Sequence, residues 1–254
     1  MGKTDVKQPH SIAITGASSG IGEALANEYS GPGVTLALCG RNGDRLRAVA
    51  EACRAQGAEA EGSVLDVTDA RAMASWIETI DRRAPLDLII ANAGIAAEPG
   101  CGDQTRAIFA VNMDGLVNTV MPALSPMRAR RRGQIAIVSS LAGYRGFPGA
   151  PAYSASKAAA KAWGEALRGQ LHHDGVEVSV ICPGYVTTRM TADNKFPMPM
   201  LMTAERAAII VRRGLERNRG LIAFPLLMHW IAWMIGSAPG RIVDPLLRML
   251  PSKE

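Results

Sequence analysis

A tyrosine and a lysine four residues apart, Tyr153 and Lys157 in the stretch AYSASKAAAKA at 152–162, have the types and spacing for proton transfer. Alanine and lysine are strong helix formers, so the stretch is expected to be helical. Residues four apart on a helix share a face, with Cβ atoms ~5–6 Å apart. A free tyrosine hydroxyl ionises near pKa ~10, too high for an effective base near neutrality. A neighbouring ammonium favours the phenolate and lowers that value. The same spacing suits an ordinary surface pair, so the surroundings must decide.

A second chemical feature is TGASSGIG, from Thr15 to Gly22, between the aliphatic run SIAIT and the helical pattern that continues as EALANEY. Gly16, Gly20 and Gly22 would let the backbone turn tightly and approach a pyrophosphate, whose charge the helix N-terminus attracts. The spacing is G-x-x-x-G-x-G, which differs from the G-x-G-x-x-G of the common dinucleotide fingerprint.

These features need elements to position them. Short aliphatic runs at 11–15, 34–38, 60–66, 86–92, 133–140, 177–183 and 221–224 read as strands. Helical patterns lie between them at about 20–29, 43–56, 69–82, 104–131, 153–172 and 203–217. Seven strands separated by helices imply an α/β fold, a Rossmann-type doubly wound parallel sheet with right-handed crossovers. Strands this apolar suit a sheet covered on both faces. No linker or repeat interrupts residues 1–254, so a single domain is expected. In such sheets ligands bind beyond the carboxyl ends of the strands, where both features sit.

Further motifs follow the same rule: NAG at 92–94, Asn112 in VNMDG, Ser140 in SSLAG and PGYVTT at 183–188. With TGASSGIG and YSASK at 153–157, they occur in the order and at the spacings of the short-chain dehydrogenase/reductase family, which the chain resembles over almost its whole length. The resemblance implies an NAD(P)(H)-dependent oxidoreductase that moves a hydride between nicotinamide and a ketone or secondary alcohol. Tyr153 would be the general acid/base, with Lys157 and the positive ring of the oxidised cofactor both favouring its phenolate. Lys157 would also bind the nicotinamide ribose. Ser140 would bind the substrate oxygen and stabilise charge developing on it. Ser139 is its neighbour, but consecutive strand residues face opposite ways and the spacing to Tyr153 favours Ser140. Asn112 would hold a water that links Lys157 to solvent. The competing class, a nucleotide-binding sensor or scaffold without turnover, has no need of Tyr153.

The resemblance also distributes the cofactor. Gly16, Ser18, Ser19, Gly20, Ile21 and Gly22 would take the pyrophosphate, and Asp66 with Val67 the adenine. Asn92, Ala93 and Gly94 would lie near the ribose, and Pro183, Gly184, Val186 and Thr188 would hold the carboxamide. Asp66 could also cap a helix beginning near Thr68. Enzymes selecting NAD commonly place an acid at the second strand's end, whereas arginine accommodates the 2′-phosphate of NADP. Here Gly40 stands where the acid is expected and Arg41 follows, so NADP(H) is favoured over NAD(H), although Ser18 supplies no second basic residue.

The rest of the chain bounds partners and substrate. The net charge is +5, and its densest basic run, RARRR at 128–132, reads as a solvated helix end rather than a nucleic-acid patch. Four scattered cysteines (39, 53, 101 and 182) and the adjacent His172 and His173 argue against a metal site or a disulfide framework and suit a reducing cytoplasm. The Met-rich segment 189–203 falls where the family carries a substrate lid; Met190, with Leu141, Phe147 and Tyr185, suggests a lipophilic pocket. The apolar extension 221–254 includes LIAFPLLMHWIAWMIG, shorter than the ~20 residues that cross a bilayer. It fits a subunit contact or lid, and next a peripheral membrane helix with Arg241, Arg248 and Lys253 near lipid phosphates. A homodimer or homotetramer is implied, with the helices at 104–131 and 153–172 pairing across a two-fold axis.

Overall fold

The computed structural model describes residues 8–96, 103–192 and 197–247. Cys101, Arg248, Lys253 and positions 193–196 of the expected lid lie outside them. The strands are β1 (Ser11–Thr15), β2 (Thr35–Gly40), β3 (Glu59–Val64), β4 (Leu88–Ala91), β5 (Gln134–Val138), β6 (Glu177–Pro183) and β7 (Leu221–Phe224). All pair in parallel, in the order β3-β2-β1-β4-β5-β6-β7. The order reverses between β1 and β4, which opens the crevice in which this class of sheet binds ligands.

Around the sheet run α1 (Gly20–Tyr29), α2 (Gly43–Ala55), α3 (Ala70–Arg83), α4 (Thr105–Phe109), α5 (Gly115–Ala129), α6 (Pro151–Leu171), α7 (Arg189–Ala192), α8 (Ala204–Glu216), α9 (Leu226–Ser237) and α10 (Gly240–Leu247). Side-chain alternation divides the core into two layers. Ile12 and Ile14 of β1, with Ala136 and Val138 of β5, join one layer under α1, α2 and α8. Ala13, Ile135 and Ile137 join the other, under α3, α5 and α6. Short polar side chains cap the starts of α2, α3 and α8: Asn42 accepts from Arg45 N–H, Asp69 from Arg71 and Ala72, and Thr203 from Arg206.

Several expected boundaries move. The helix expected over 104–131 is interrupted by a π-helical turn, Ala110–Asp114, which contains Asn112. Such single turns re-aim a side chain at the cost of one irregular hydrogen-bond step. β3 ends at Val64 and β5 at Val138, so Asp66 and Ser140 each lie two residues past their strand. Asp66 caps no helix; its Oδ1 accepts from Thr68 N–H at 2.9 Å and Thr68 Oγ1 at 2.8 Å, while Asp69 caps α3. β3 departs from the expected all-buried pattern, because this edge strand exposes Glu59, Glu61 and Val64. Charged side chains on an edge discourage further strand pairing.

The RARRR run is an ion-paired girdle at the end of the sheet away from the crevice. Arg128 meets Asp174 at 2.7 Å, Arg130 meets Asp81 at 2.8 Å, and Arg132 meets Asp87 at 2.8 Å. At the crevice end, α9 packs its inner side on the turn that follows Ser140. Tyr144 Oη and His229 Nδ1 are 3.2 Å apart, and a Cβ on Gly236 would meet the Tyr144 carbonyl at 2.6 Å. Its outer side exposes Leu226, Leu227, Trp230, Ile231, Trp233 and Met234.

Candidate active site

The crevice begins with two residues that lock the ends of β1 and β4. Asn92 Nδ2 donates to the Thr15 carbonyl at 2.9 Å and the Gly16 carbonyl at 3.2 Å, while Thr15 Oγ1 accepts from the N–H groups of Asn92 and Ala93. The glycine loop folds between them. Gly16 and Gly20 adopt φ of +66° and +61°, which disfavours any side chain. A Cβ on Gly22 would strike the Gly16 carbonyl oxygen and stand 2.6 Å from Asn92 Nδ2. Gly22 supports the loop from behind and does not itself line the cleft. Ser19, at the α1 N-cap position, makes no side-chain cap bond, so no side chain from that position occupies the N–H groups of the first turn. Opposite the loop, a Cβ on Gly20 would touch Thr188 Cγ2 at 2.9 Å, which shows how closely the segment after β6 approaches it.

From this loop a cleft of about 500 Å³ runs along the carboxyl ends of the strands. One end is lined by Gly40, Arg41, Asn42, Arg45 and Asp66, and the other by Ser140, Tyr153, Lys157, Pro183 and Gly184. Ser18, Ser19, Ile21, Val67, Asn92, Ala93, Gly94, Val186, Thr188 and Met190 lie along it. The three reactive side chains of the sequence reading, Tyr153, Lys157 and Ser140, therefore meet at one end.

Local contacts fix them there. Ser139 is buried and its Oγ donates to the Lys157 carbonyl at 2.7 Å, which ties the end of β5 to α6. Ser140 turns the other way; its Oγ accepts from Ala142 N–H at 3.1 Å and donates to the Pro183 carbonyl at 3.4 Å. A Cβ on Gly143 would press the Lys157 carbonyl at 2.8 Å, so this turn lies directly against α6. Lys157 Nζ donates to the Val138 carbonyl at 2.9 Å and lies 5.8 Å from the Tyr153 ring centroid. Gly94 leaves the room it needs, since a Cβ there would stand 3.2 Å from both Lys157 Nζ and Asn112 Oδ1.

Burial sets the electrostatics. It pushes the Tyr153 phenol above its ordinary value, and the Ser140 hydrogen bond draws it back only in part. Desolvation is the larger of these two effects, and the Lys157 ammonium is turned to the Val138 carbonyl. The same burial pushes Lys157 down to about 8.

Asn112 is beside the cleft rather than in it. Its Oδ1 accepts from Ile95 N–H at 2.8 Å, and its Nδ2 donates to the Ile95 carbonyl at 3.0 Å and to Ser156 Oγ at 2.9 Å. Three of the four residues expected to line a substrate pocket do not reach the cleft. Leu141 is buried in a small core with Val180 and Cys182, because the turn after Ser140 rolls it inward. Phe147 and Tyr185 are half-buried outside the cleft, and only Met190 lines it. Residues the sequence reading missed include Asn42 and Arg45, Leu65, Ile95 and Val111, and Arg189 and Thr191. The available signal for the first two was their place just past Gly40 and Arg41, at the start of α2.

Comparison with known proteins places this geometry. A family profile described as short chain dehydrogenase matches residues 10–197. The chain belongs to the short-chain dehydrogenase/reductase family. It is 37% identical over 242 residues to an uncharacterized oxidoreductase of Myxococcus xanthus, covering 93% of this chain and 96% of that one. It is 33% identical over 250 residues to 11-beta-hydroxysteroid dehydrogenase-like 2 of Arabidopsis thaliana, covering 93% and 80%. Among solved structures, a putative NAD(P) dependent gluconate 5-dehydrogenase from Beutenbergia cavernae with bound NADP superposes with a TM-score of 0.76. That pair is 28% identical, covering 88% of this chain and 97% of the other. This short-chain dehydrogenase is an NAD(P)-binding oxidoreductase of the type acting on CH–OH donors.

The side chains present fit such a dinucleotide. The left-handed glycines and the close packing behind Gly22 leave bare backbone where a diphosphate must approach. The cleft continues from there to Tyr153. When bound, the nicotinamide supplies or accepts a hydride.

Proposed function

We propose that the protein is an NADP(H)-dependent reductase or dehydrogenase of a lipophilic ketone or secondary alcohol, with Tyr153 as general acid/base. The observation that carries this reading is the meeting of Tyr153, Ser140 and Lys157 at one end of a cleft whose other end holds Arg41. A phenol kept protonated by burial is suited to give its proton to a carbonyl oxygen, and to take one back from an alcohol. Ser140 orients that oxygen and accommodates its developing charge. Lys157 holds the ribose and tunes the phenol.

Three observations support NADP(H) and a lipophilic substrate. A Cβ on Gly40 would stand 3.1 Å from Ser18 Oγ, so an acidic side chain there would crowd the glycine loop. Arg41 is exposed beside Asp66, whose carboxyl it helps hold below its ordinary value after the larger effect of the Thr68 N–H. Met190, Ile95 and Val111 give the cleft apolar walls, and the Arabidopsis relative bears a hydroxysteroid dehydrogenase name. Self-association is part of the same reading, supported by Phe109, Val117 and Met121 exposed on α4 and α5.

A panel of apolar ketones and secondary alcohols, followed by NADPH absorbance, tests the reading. Turnover of a member of the panel with NADPH, faster than with NADH, is expected. Tight NADPH binding with no turnover across the panel would contradict it.

A further inference from the structure

The α2 side of the cleft holds a cation that the assignment of NADP(H) through Arg41 does not use. Arg45 sits in the first turn of α2, half-buried, and lines the same end of the cleft as Gly40, Arg41 and Asn42. Its Nε is fully shielded and has no hydrogen-bond partner among the described residues. A buried N–H of a permanently charged group left without an acceptor is unfavourable, and native proteins rarely keep one unless something else supplies the acceptor.

Neighbouring carboxylates do not supply it. Asp44 pairs with Arg47 at 3.3 Å, and Asp66 accepts from Thr68. Asn42 Oδ1 accepts from the backbone N–H of Arg45 rather than from its guanidinium. On the opposite side, the glycine loop brings only the neutral Ser18 to within contact of Gly40. One guanidinium, that of Arg41, is exposed to solvent, where its field is screened.

We infer that Arg45 is the second cation of the 2′-phosphate site, reaching it from α2 and replacing the basic residue that the glycine loop lacks. The guanidinium fork donates to phosphate oxygens, and its partly desolvated position makes that charge-assisted contact stronger than the one from Arg41. This rests on the NADP(H) reading above. The alternative use of the same side chain, stacking on the adenine, would serve NAD(H) and NADP(H) alike.

Equilibrium binding of NADPH, NADH, 2′,5′-ADP and ADP to the wild-type chain, Arg45→Gln, Arg45→Lys and Arg41→Gln separates these possibilities, with circular dichroism melts showing that each variant folds. Arg45→Gln should weaken NADPH and 2′,5′-ADP about 10- to 100-fold while leaving NADH and ADP within about twofold, and Arg45→Lys should recover part of the loss. Equal losses for phosphorylated and unphosphorylated ligands would overturn the inference in favour of an adenine contact. No loss for Arg45→Gln, with a selective loss for Arg41→Gln, would overturn it while the NADP(H) reading stood. A wild-type chain that binds NADH as tightly as NADPH would remove both.

Discussion

The Asn112 carboxamide donates to the Ser156 hydroxyl at 2.9 Å, and Ser156 in turn donates to the Tyr153 carbonyl at 2.8 Å. The π-helical turn is thereby fastened to the helix that carries Tyr153 and Lys157. Both side chains are almost fully buried, so removing the Ser156 hydroxyl leaves one Asn112 N–H without its acceptor while the bonds to Ile95 remain. Ser156→Ala should cost about 1–3 kcal/mol of stability and lower turnover by loosening the catalytic helix. Urea unfolding alongside steady-state kinetics checks both, and a variant as stable as the wild type would show that this bond does not hold the turn.

The glycine loop gives a second, steric prediction. Gly22→Ala drives a Cβ against the Gly16 carbonyl, which is backbone and has little room to yield. Nucleotide affinity should fall steeply and stability by about 1–3 kcal/mol. Gly31→Ala is the control, since a Cβ there meets nothing within 4 Å. Thermal melts with and without NADPH distinguish the two: the nucleotide should raise the midpoint of Gly31→Ala and barely move that of Gly22→Ala.

Burial of Lys157 predicts a pH-dependent cost. Its folded value near 8 lies below the ordinary 10.5, so between those values the unfolded chain binds more protons and folding strengthens as pH rises. The penalty is complete below about pH 8 and gone by about 10.5. Lys157→Met should therefore be more stable than the wild type by on the order of 3 kcal/mol near neutrality, with the gap closing as pH climbs. Urea unfolding of both chains across that range is the measurement; a gap independent of pH would mean that the ammonium is not the source of the cost.

The parallel sheet was legible because most of its strands are short aliphatic runs ending in turn chemistry, as SIAIT runs into TGASSGIG. Tyr153, Lys157 and the glycine loop were legible for the same reason: their spacing encodes local geometry. What escaped depended on contacts distant in sequence. The π-helical turn at Asn112 is held by Ile95 and Ser156, neither of which marks an irregular helix when read along the chain. Leu141 reads as a pocket residue from its place beside Ser140, yet the turn rolls it toward Val180 and Cys182.

The most direct test is Tyr153→Phe, which removes one hydroxyl and leaves the half-buried ring at the end of the cleft. Single-turnover oxidation of bound NADPH by a ketone that the wild type reduces should slow by about 10²- to 10⁴-fold, with NADPH affinity little changed. Turnover within about tenfold of the wild type would contradict the assignment of Tyr153 as the proton donor.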